Sequence, residues 1–167
     1  NIALINAEGE IVVARDPYGF RPLVYGFSHD KNVFMAASES NALLNCGIKD
    51  IKPLKPGYMV HIEKDKIRIQ KFANPKKISH CMFEWVYFSN VGSVLDDKSV
   101  YIARTNLGKE LAKLETEKIN DDYVVVPVPK TAISAAETYA IKLGLPSSQA
   151  LIASGERGFI NKKKERG

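Results

Sequence analysis

The chain has 167 residues, 45% of them hydrophobic and 26% charged, which suits an ordinary globular protein of one domain, or one small domain plus part of another. No apolar run approaches the roughly 18 residues of a membrane span, so a membrane partner is not expected. Of the formal charge of +5, Lys162, Lys163, Lys164 and Arg166 against Glu165 account for +3, and the rest of the chain is too weakly basic for a nucleic-acid footprint.

Asn1 leads directly into strand-like sequence, so no signal peptide is expected, and the absence of an initiating methionine suggests a processed or truncated piece. Ile2–Asn6 and Ile11–Asp16 are β-prone runs separated by Ala7-Glu8-Gly9-Glu10, a hairpin signal. Asp16-Pro17-Tyr18-Gly19 is a turn: Pro17 fixes φ, Gly19 tolerates positive φ, and Asp16 can accept from the backbone ahead of it. Arg15 beside it is expected to be a structural salt bridge or turn element, and Arg21 is a candidate holder of a carboxylate or phosphate. Leu23–Phe27 and Val33–Ala37 predict two more strands. Ser38-Glu39-Ser40 offers hydroxyl caps for a short helix through Asn45, which Gly47 ends. Pro56-Gly57 opens a hairpin of Tyr58–Glu63 and Ile67–Phe72, whose alternation places Ile67 and Ile69 inward. Consecutive hairpins with one short helix predict a mostly antiparallel sheet.

The stretch Cys81–Ser89, CMFEWVYFS, holds the only tryptophan and is the densest aromatic segment. It is expected to be the joint between two unlike halves, with its aromatics packed across the boundary. Cys46 and Cys81 are the only cysteines and lie in no CxxC motif, which favours a reducing compartment; His29, His61 and His80 have no metal-ligand spacing.

Beyond the joint, Asp96 or Asp97 is expected to cap a helix from about Lys98 to Glu115, with Val100, Ala103, Leu107, Leu111 and Leu114 on its inner face. Tyr123-Val124-Val125-Val126 suits a central parallel strand buried on both faces. A second helix follows PVPKT, with Thr131 as its cap, Ile133, Ala136, Ala140 and Leu143 as its inner stripe, and Gly144 and Pro146 as its stop. Gln149–Ser154 predicts the next strand. Helix, strand, helix, strand in this order indicates an α/β unit. The PVPKT loop lies where such units bind ligands, and its helix N-terminus and Lys130 favour an anion; a rigid proline-braced turn with an exposed lysine explains the same residues.

ARDPYGFRPL at 14–23, the following ASESNAL, Lys55-Pro56-Gly57, CMFEWVYFS and VVVPVPKTAISAA resemble the glutamine phosphoribosylpyrophosphate amidotransferase family, in the right order over nearly the whole chain. The resemblance implies a fold of α+β followed by α/β. Residues 1–80 would be the rear of an N-terminal-nucleophile glutaminase αββα sandwich, 81–97 the interdomain junction, and 98–167 the front of a type I phosphoribosyltransferase parallel-sheet domain. It implies glutamine and phosphoribosyl pyrophosphate as substrates, Mg²⁺ on the pyrophosphate, a cytoplasmic location and a homo-oligomer. It implies no nucleic-acid or membrane partner. Lys130 and Thr131 on the pyrophosphate loop and Arg157 on a mobile loop are the substrate-binding residues it marks. The family more often carries an acid where Lys130 stands, and Gly158 stands where threonine is usual.

Family glutaminases use an N-terminal cysteine as nucleophile with its own amine as base. Asn1 carries no thiol, and Cys46 and Cys81 are internal, so this chain as given is not expected to hydrolyse glutamine; clear ammonia release by this polypeptide would overturn that. No acidic ribose-phosphate loop follows a strand after Ile152, so tight phosphoribosyl pyrophosphate binding is not expected of this chain alone. Some family members use a cysteine at the position of Cys81 for an iron–sulfur cluster, which usually needs four cysteine ligands, so none is expected here. The rival reading is a non-catalytic relative or phosphate-binding module that keeps the architecture without either active centre.

Overall fold

The computed structural model describes residues 1–64, 66–75 and 77–153. The chain divides into two compact units, Asn1–Ala103 and Arg104–Gly167. No helix among the described residues is long and apolar enough to cross a membrane.

In the first unit the predicted hairpins form. Strands β1 (Ile2–Ile5) and β2 (Ile11–Ala14) pair antiparallel. Asn6 closes their turn: its carbonyl accepts from Gly9 N–H at 3.1 Å and its side-chain oxygen from Glu10 N–H at 2.8 Å. Strands β3 (Val24–Phe27) and β4 (Phe34–Ala37) form the second hairpin. After helix α1 (Ser40–Asn45) comes a strand the pattern did not announce, β5 (Asp50–Pro53), which pairs with β3. Strands β6 (Tyr58–Glu63) and β7 (Lys66–Lys71) complete the set.

The expected sheet is split in two. One has the order β1-β2-β6-β7 and the other β4-β3-β5. Val13 and Val60 of the first pack with Leu23, Tyr25 and Leu54 of the second side, forming the inter-sheet core. The opposite face of β3 buries Val24 with Leu43 and Ile48, seating α1. The layers are therefore sheet, sheet, helix, and alternation along β3 supplies both cores: burying a Val or Leu side chain is worth about 1.5–3 kcal/mol.

Two expectations fail here for physical reasons. Ile67 and Ile69 pair opposite Ile62 and Val60, so they share the core-side face, yet both are about half exposed because β7 lies at the sheet edge. The α1 cap is Glu39, with no side-chain capping bond. Ser40 Oγ instead accepts from Val94 N–H at 2.8 Å, and the Glu39 carboxylate accepts from Asn90 N–H and Ser93 Oγ at 2.7 and 2.9 Å. These groups hold residues 90–94 onto the sandwich.

Two ion pairs fasten the same segment. Arg15 is buried, and its Nη1 and Nη2 donate to the two carboxylate oxygens of Asp96 at 2.6 and 2.9 Å. Its remaining N–H groups donate to the carbonyls of Arg21, Leu54 and Gly19 at 3.0, 2.8 and 3.1 Å. All the donors of the guanidinium are thus used. Arg15 is a structural ion pair as expected, but its partner is Asp96 and not Asp16. Asp16 acts as the turn residue anticipated, accepting from Tyr18 and Phe20 N–H. Asp96 and Asp97 do not cap a helix: both have positive φ, 46° and 63°, and form the two-residue turn between strands β8 (Val94–Leu95) and β9 (Lys98–Ser99). The second pair joins Arg21 to Glu84, which is buried at the start of a π-helical turn, Glu84–Phe88; Ser89 Oγ also donates to Glu84 at 3.1 Å.

Helix α2 (Val100–Lys113) begins in the first unit and ends in the second, and α3 (Ile133–Leu143) lies in the second. The predicted inner face of α2 holds at its start, where Val100 is buried and Ala103 half-buried, and fails beyond it. Leu107, Leu111 and Leu114 are exposed, whereas Arg104, Thr105 and Gly108 are buried. Gly108 decides this: a Cβ there would stand 2.1 Å from the Ala135 carbonyl oxygen, so only glycine admits α3 at this distance. The Tyr139 hydroxyl of α3 donates to the Glu115 carboxylate beyond the end of α2. Helix α3 stops as expected, with Gly144 left-handed at φ 70°, but its N-cap is Ala132 and not Thr131. The expected strand Tyr123–Val126 keeps only a parallel bridge, Val125 to Ser147; residues 149–153 form no strand, and Ser154 lies outside the described residues. Tyr123, Val124 and Val126 are exposed, as a strand is buried only where neighbours cover both faces.

Removing Asp96 strands a buried charge, so Asp96→Asn should destabilise the first unit by about 3–5 kcal/mol, and Asp16→Asn by much less; urea unfolding of both variants that ranks them the other way would refute the pairing. Gly108→Ala should cost about 1–3 kcal/mol through overpacking, seen as a lower midpoint for the second unit. The Tyr139 hydroxyl, followed by the Glu117 N–H, holds the Glu115 carboxyl below its ordinary range, and the same contact pushes the Tyr139 phenol up. The carboxyl's contribution to stability is present above its ordinary pKa and lost as pH falls through the lowered one. That of the phenol is present below its ordinary pKa and lost as pH rises through the raised one. Tyr139→Phe should return the Glu115 titration, followed by carboxyl-carbon NMR, upward; an unmoved titration would remove the contact from consideration.

Candidate functional site

The loop between Val125 and α3 is anchored at both ends. Val125 N–H donates to the Pro146 carbonyl at 2.9 Å and the Val125 carbonyl accepts from Ser148 N–H at 3.0 Å, which fixes the strand side. On the helix side Ala136 N–H donates to the Ala132 carbonyl at 2.9 Å, closing the first turn. Pro127 and Pro129 stiffen the path between, and the Pro129–Lys130 peptide bond is cis.

Lys130 is exposed and Thr131 half-buried, two residues and one residue before the N-cap. The N-cap Ala132 has no side chain able to accept, and no side-chain capping bond is made. The first N–H groups of a helix have no intrahelical acceptor, so the loop joins an uncapped positive helix end, an ammonium and a hydroxyl. That donor set suits an anion with several oxygens, such as a phosphate. Lys130 and Thr131 are therefore brought together at the helix entrance. Arg157 lies outside the described residues.

The donor set does not suit a divalent cation. No carboxylate occurs between Val125 and Ala132, and no group of three His, Cys, Asp or Glu among the described residues is placed to hold a metal. Cys46 is a free exposed thiol and Cys81 a free half-buried one.

Arg21 does hold a carboxylate, but an internal one. It pairs with Glu84, and its guanidinium carbon lies 5.1 Å from the centre of the Phe88 ring. The signal was in the sequence: Glu84 is the lone charge inside CMFEWVYFS, and a buried acid needs a partner. His80 stacks on Trp85 at 5.7 Å between ring centres, and its Nε2 lies 3.7 Å from Asp96 Oδ2. Met82, Phe83, Tyr87 and Phe88 are exposed.

No family model matches the chain. Individual proteins do. The amidophosphoribosyltransferase of Pseudomonas aeruginosa is 38% identical over 156 residues, 90% of this chain and 31% of that protein. That of Bacillus subtilis is 38% identical over 149 residues, 89% of this chain and 30% of that protein. That of Escherichia coli is 35% identical over 158 residues, 90% of this chain and 31% of that protein. Among solved structures, the glutamine phosphoribosylpyrophosphate amidotransferase of B. subtilis, complexed with ADP and GMP, matches with a TM-score of 0.73 and 35% identity, over 83% of this chain and 30% of that one. A structure described as the allosteric regulatory enzyme of purine biosynthesis matches with a TM-score of 0.74 and 32% identity, over 93% of this chain and 33% of that one. The chain thus spans about three-tenths of the length of the relatives it matches. Along nine-tenths of its own length it is homologous to a segment of the amidophosphoribosyltransferases, the family its motifs resemble.

Proposed function

We propose that this chain serves glutamine-dependent phosphoribosyl transfer. In that reaction water hydrolyses the side-chain amide of glutamine to glutamate and ammonia, and the ammonia nitrogen attacks the ribose C1 of phosphoribosyl pyrophosphate. The C1–O bond breaks, pyrophosphate leaves with the electron pair, and the nitrogen sheds a proton to give 5-phosphoribosylamine, the first step of purine biosynthesis. The observation that supports this best is the collinear match of both units to amidophosphoribosyltransferases at 35–38% identity.

In this reading, residues 1–80 belong to the glutaminase part with its αββα sandwich, 81–97 to the joint, and 98–167 to the transferase part. The PVPKT loop holds the leaving pyrophosphate. The helix N-terminus and Lys130 would stabilise the negative charge that grows there as the C1–O bond lengthens, a contribution of the kind preorganised donors make at oxyanions. Thr131 adds a hydroxyl donor, and Arg157 a further cation. A lysine replaces the acid more usual at position 130, which favours a second reading: an anion-binding module without turnover.

Titration of the full chain with pyrophosphate, followed by calorimetry, tests the loop. Lys130→Ala should weaken binding by about tenfold or more, since a hydrogen bond to a charged group is worth roughly 1.5–3 kcal/mol. Unchanged affinity would remove Lys130 from the site. Glutamine-dependent pyrophosphate release from phosphoribosyl pyrophosphate, assayed on the full protein that carries this chain, separates the two readings: turnover supports the enzyme, and binding without turnover the module.

A further inference from the structure

The first unit carries a cleft of about 700 Å³ at one end of its sandwich, lined by Phe27, Lys31, Lys49, Lys52 and Ile67 among others. A second depression of about 280 Å³ shares Phe27, Lys31 and Ile67 with it and adds Phe34, Ile62 and Lys64. The floor is the end of the inter-sheet core: Phe27, Phe34 and Ile62 all pack against the buried cluster, and the Phe27 and Phe34 rings lie 5.3 Å apart. The core is therefore open here, and aromatic and aliphatic carbon faces outward from both sheets.

The rim is cationic. Lys31, Lys49, Lys52 and Lys64 stand around it with His29. Among the described residues the one carboxylate in the lining is Asp50, whose oxygen is 3.2 Å from Lys52 Nζ. Asp30, next to Lys31, turns its carboxylate back on its own turn, accepting from Ser28 Oγ at 2.5 Å and Asn32 Nδ2 at 2.8 Å. Glu63 is engaged by Arg68 at 2.9 Å. Positive charge is thus left in excess over an apolar floor. The turn holds Lys31 at a φ of 60°, with its N–H donating to the Ser28 carbonyl at 2.9 Å, so the rim lysine is carried on fixed backbone.

We propose that this cleft binds a small organic anion with an aromatic or apolar body, the body against Phe27, Phe34 and Ile67 and the acidic group among Lys31, Lys49 and Lys64. The volume is that of a small-molecule site, which typically runs from about 300 to 1,000 Å³. Charge complementarity selects the acid, and desolvation of the exposed floor supplies the attraction for the body. The site shares no residue with the PVPKT loop and does not depend on the phosphoribosyl reading.

The probe is 8-anilinonaphthalene-1-sulfonate, an aromatic anion, compared with N-phenyl-1-naphthylamine, which has a similar body and no charge. Titration into the full chain, followed by amide NMR, should give saturable shifts centred on Lys31, Gly47 and Ile67. The neutral probe should bind at least tenfold more weakly. The double variant K31E/K49E, checked for an unchanged circular-dichroism spectrum, should lose tenfold or more in affinity for the anion, while Lys109→Glu in the second unit should not. Equal binding of the two probes, shifts centred on the exposed aromatics at 82–88, or an unaffected double variant would each overturn the proposal. Should K31E/K49E fail to fold, the single change Lys64→Gln gives the same comparison: reduced affinity for the anion with the neutral probe unaffected supports the site, and no change refutes it.

Discussion

A fully buried guanidinium is the constraint on which the first unit depends. Burying a charge is costly unless geometry and hydrogen bonding are complete, and Arg15 satisfies the condition with donors to Asp96 and to the carbonyls of Gly19, Arg21 and Leu54. Those acceptors come from the turn after β2, the approach to β3, the core residue that follows β5, and the β8–β9 turn. Each must be in place for the charge to be tolerated. Arg15 therefore coordinates parts of the chain that share no strand pairing, and it sets where the segment after the sandwich must run.

That segment is held by more than one polar clamp. Glu39, Ser40, Arg21 and Arg15 each reach it from the sandwich. The aromatic stretch is thus fixed by the one acid it contains, which leaves several of its rings on the surface. In the second unit the corresponding role falls to close backbone approach. Gly108 lets α3 lie against α2, and α3 in turn presents its uncapped end to the PVPKT loop. Charged interior in one unit and tight helix contact in the other achieve the same end, a rigid base for exposed groups.

Local chemistry was legible in the sequence wherever a residue's own backbone preference decides. Gly144 ends α3, Asp16 builds its turn, and the hairpins fall where β-branched runs meet turn residues. Facing was not legible. Helical spacing marked Leu107 and Leu111 as the inner side of α2, but the approach of α3 at Gly108 turns a different stripe inward. Strand β5 escaped because Asp50-Ile51-Lys52-Pro53 lacks an apolar pattern; it forms through pairing with β3. The partner of Arg15 lies 81 residues away, beyond any local rule, whereas the isolation of Glu84 announces its need for a cation without saying that Arg21 supplies it. The PVPKT loop was the most readable feature of the candidate site because prolines and a helix start define it without distant help.

The distance between Arg15 and Asp96 also bears on how the chain is made. The described strands of both sheets have all been made once β7 ends at Lys71, yet the carboxylate that neutralises the buried guanidinium arrives only with Asp96. At about 5–20 residues per second of synthesis, the 81-residue separation corresponds to roughly 4–16 s between the two side chains leaving the ribosome's active centre. Throughout that interval the nascent sandwich holds a cation whose best acceptor has yet to be made. Full neutralisation of Arg15 therefore waits on translation of the segment that follows the sandwich, and the turn at Asp96–Asp97 supplies it.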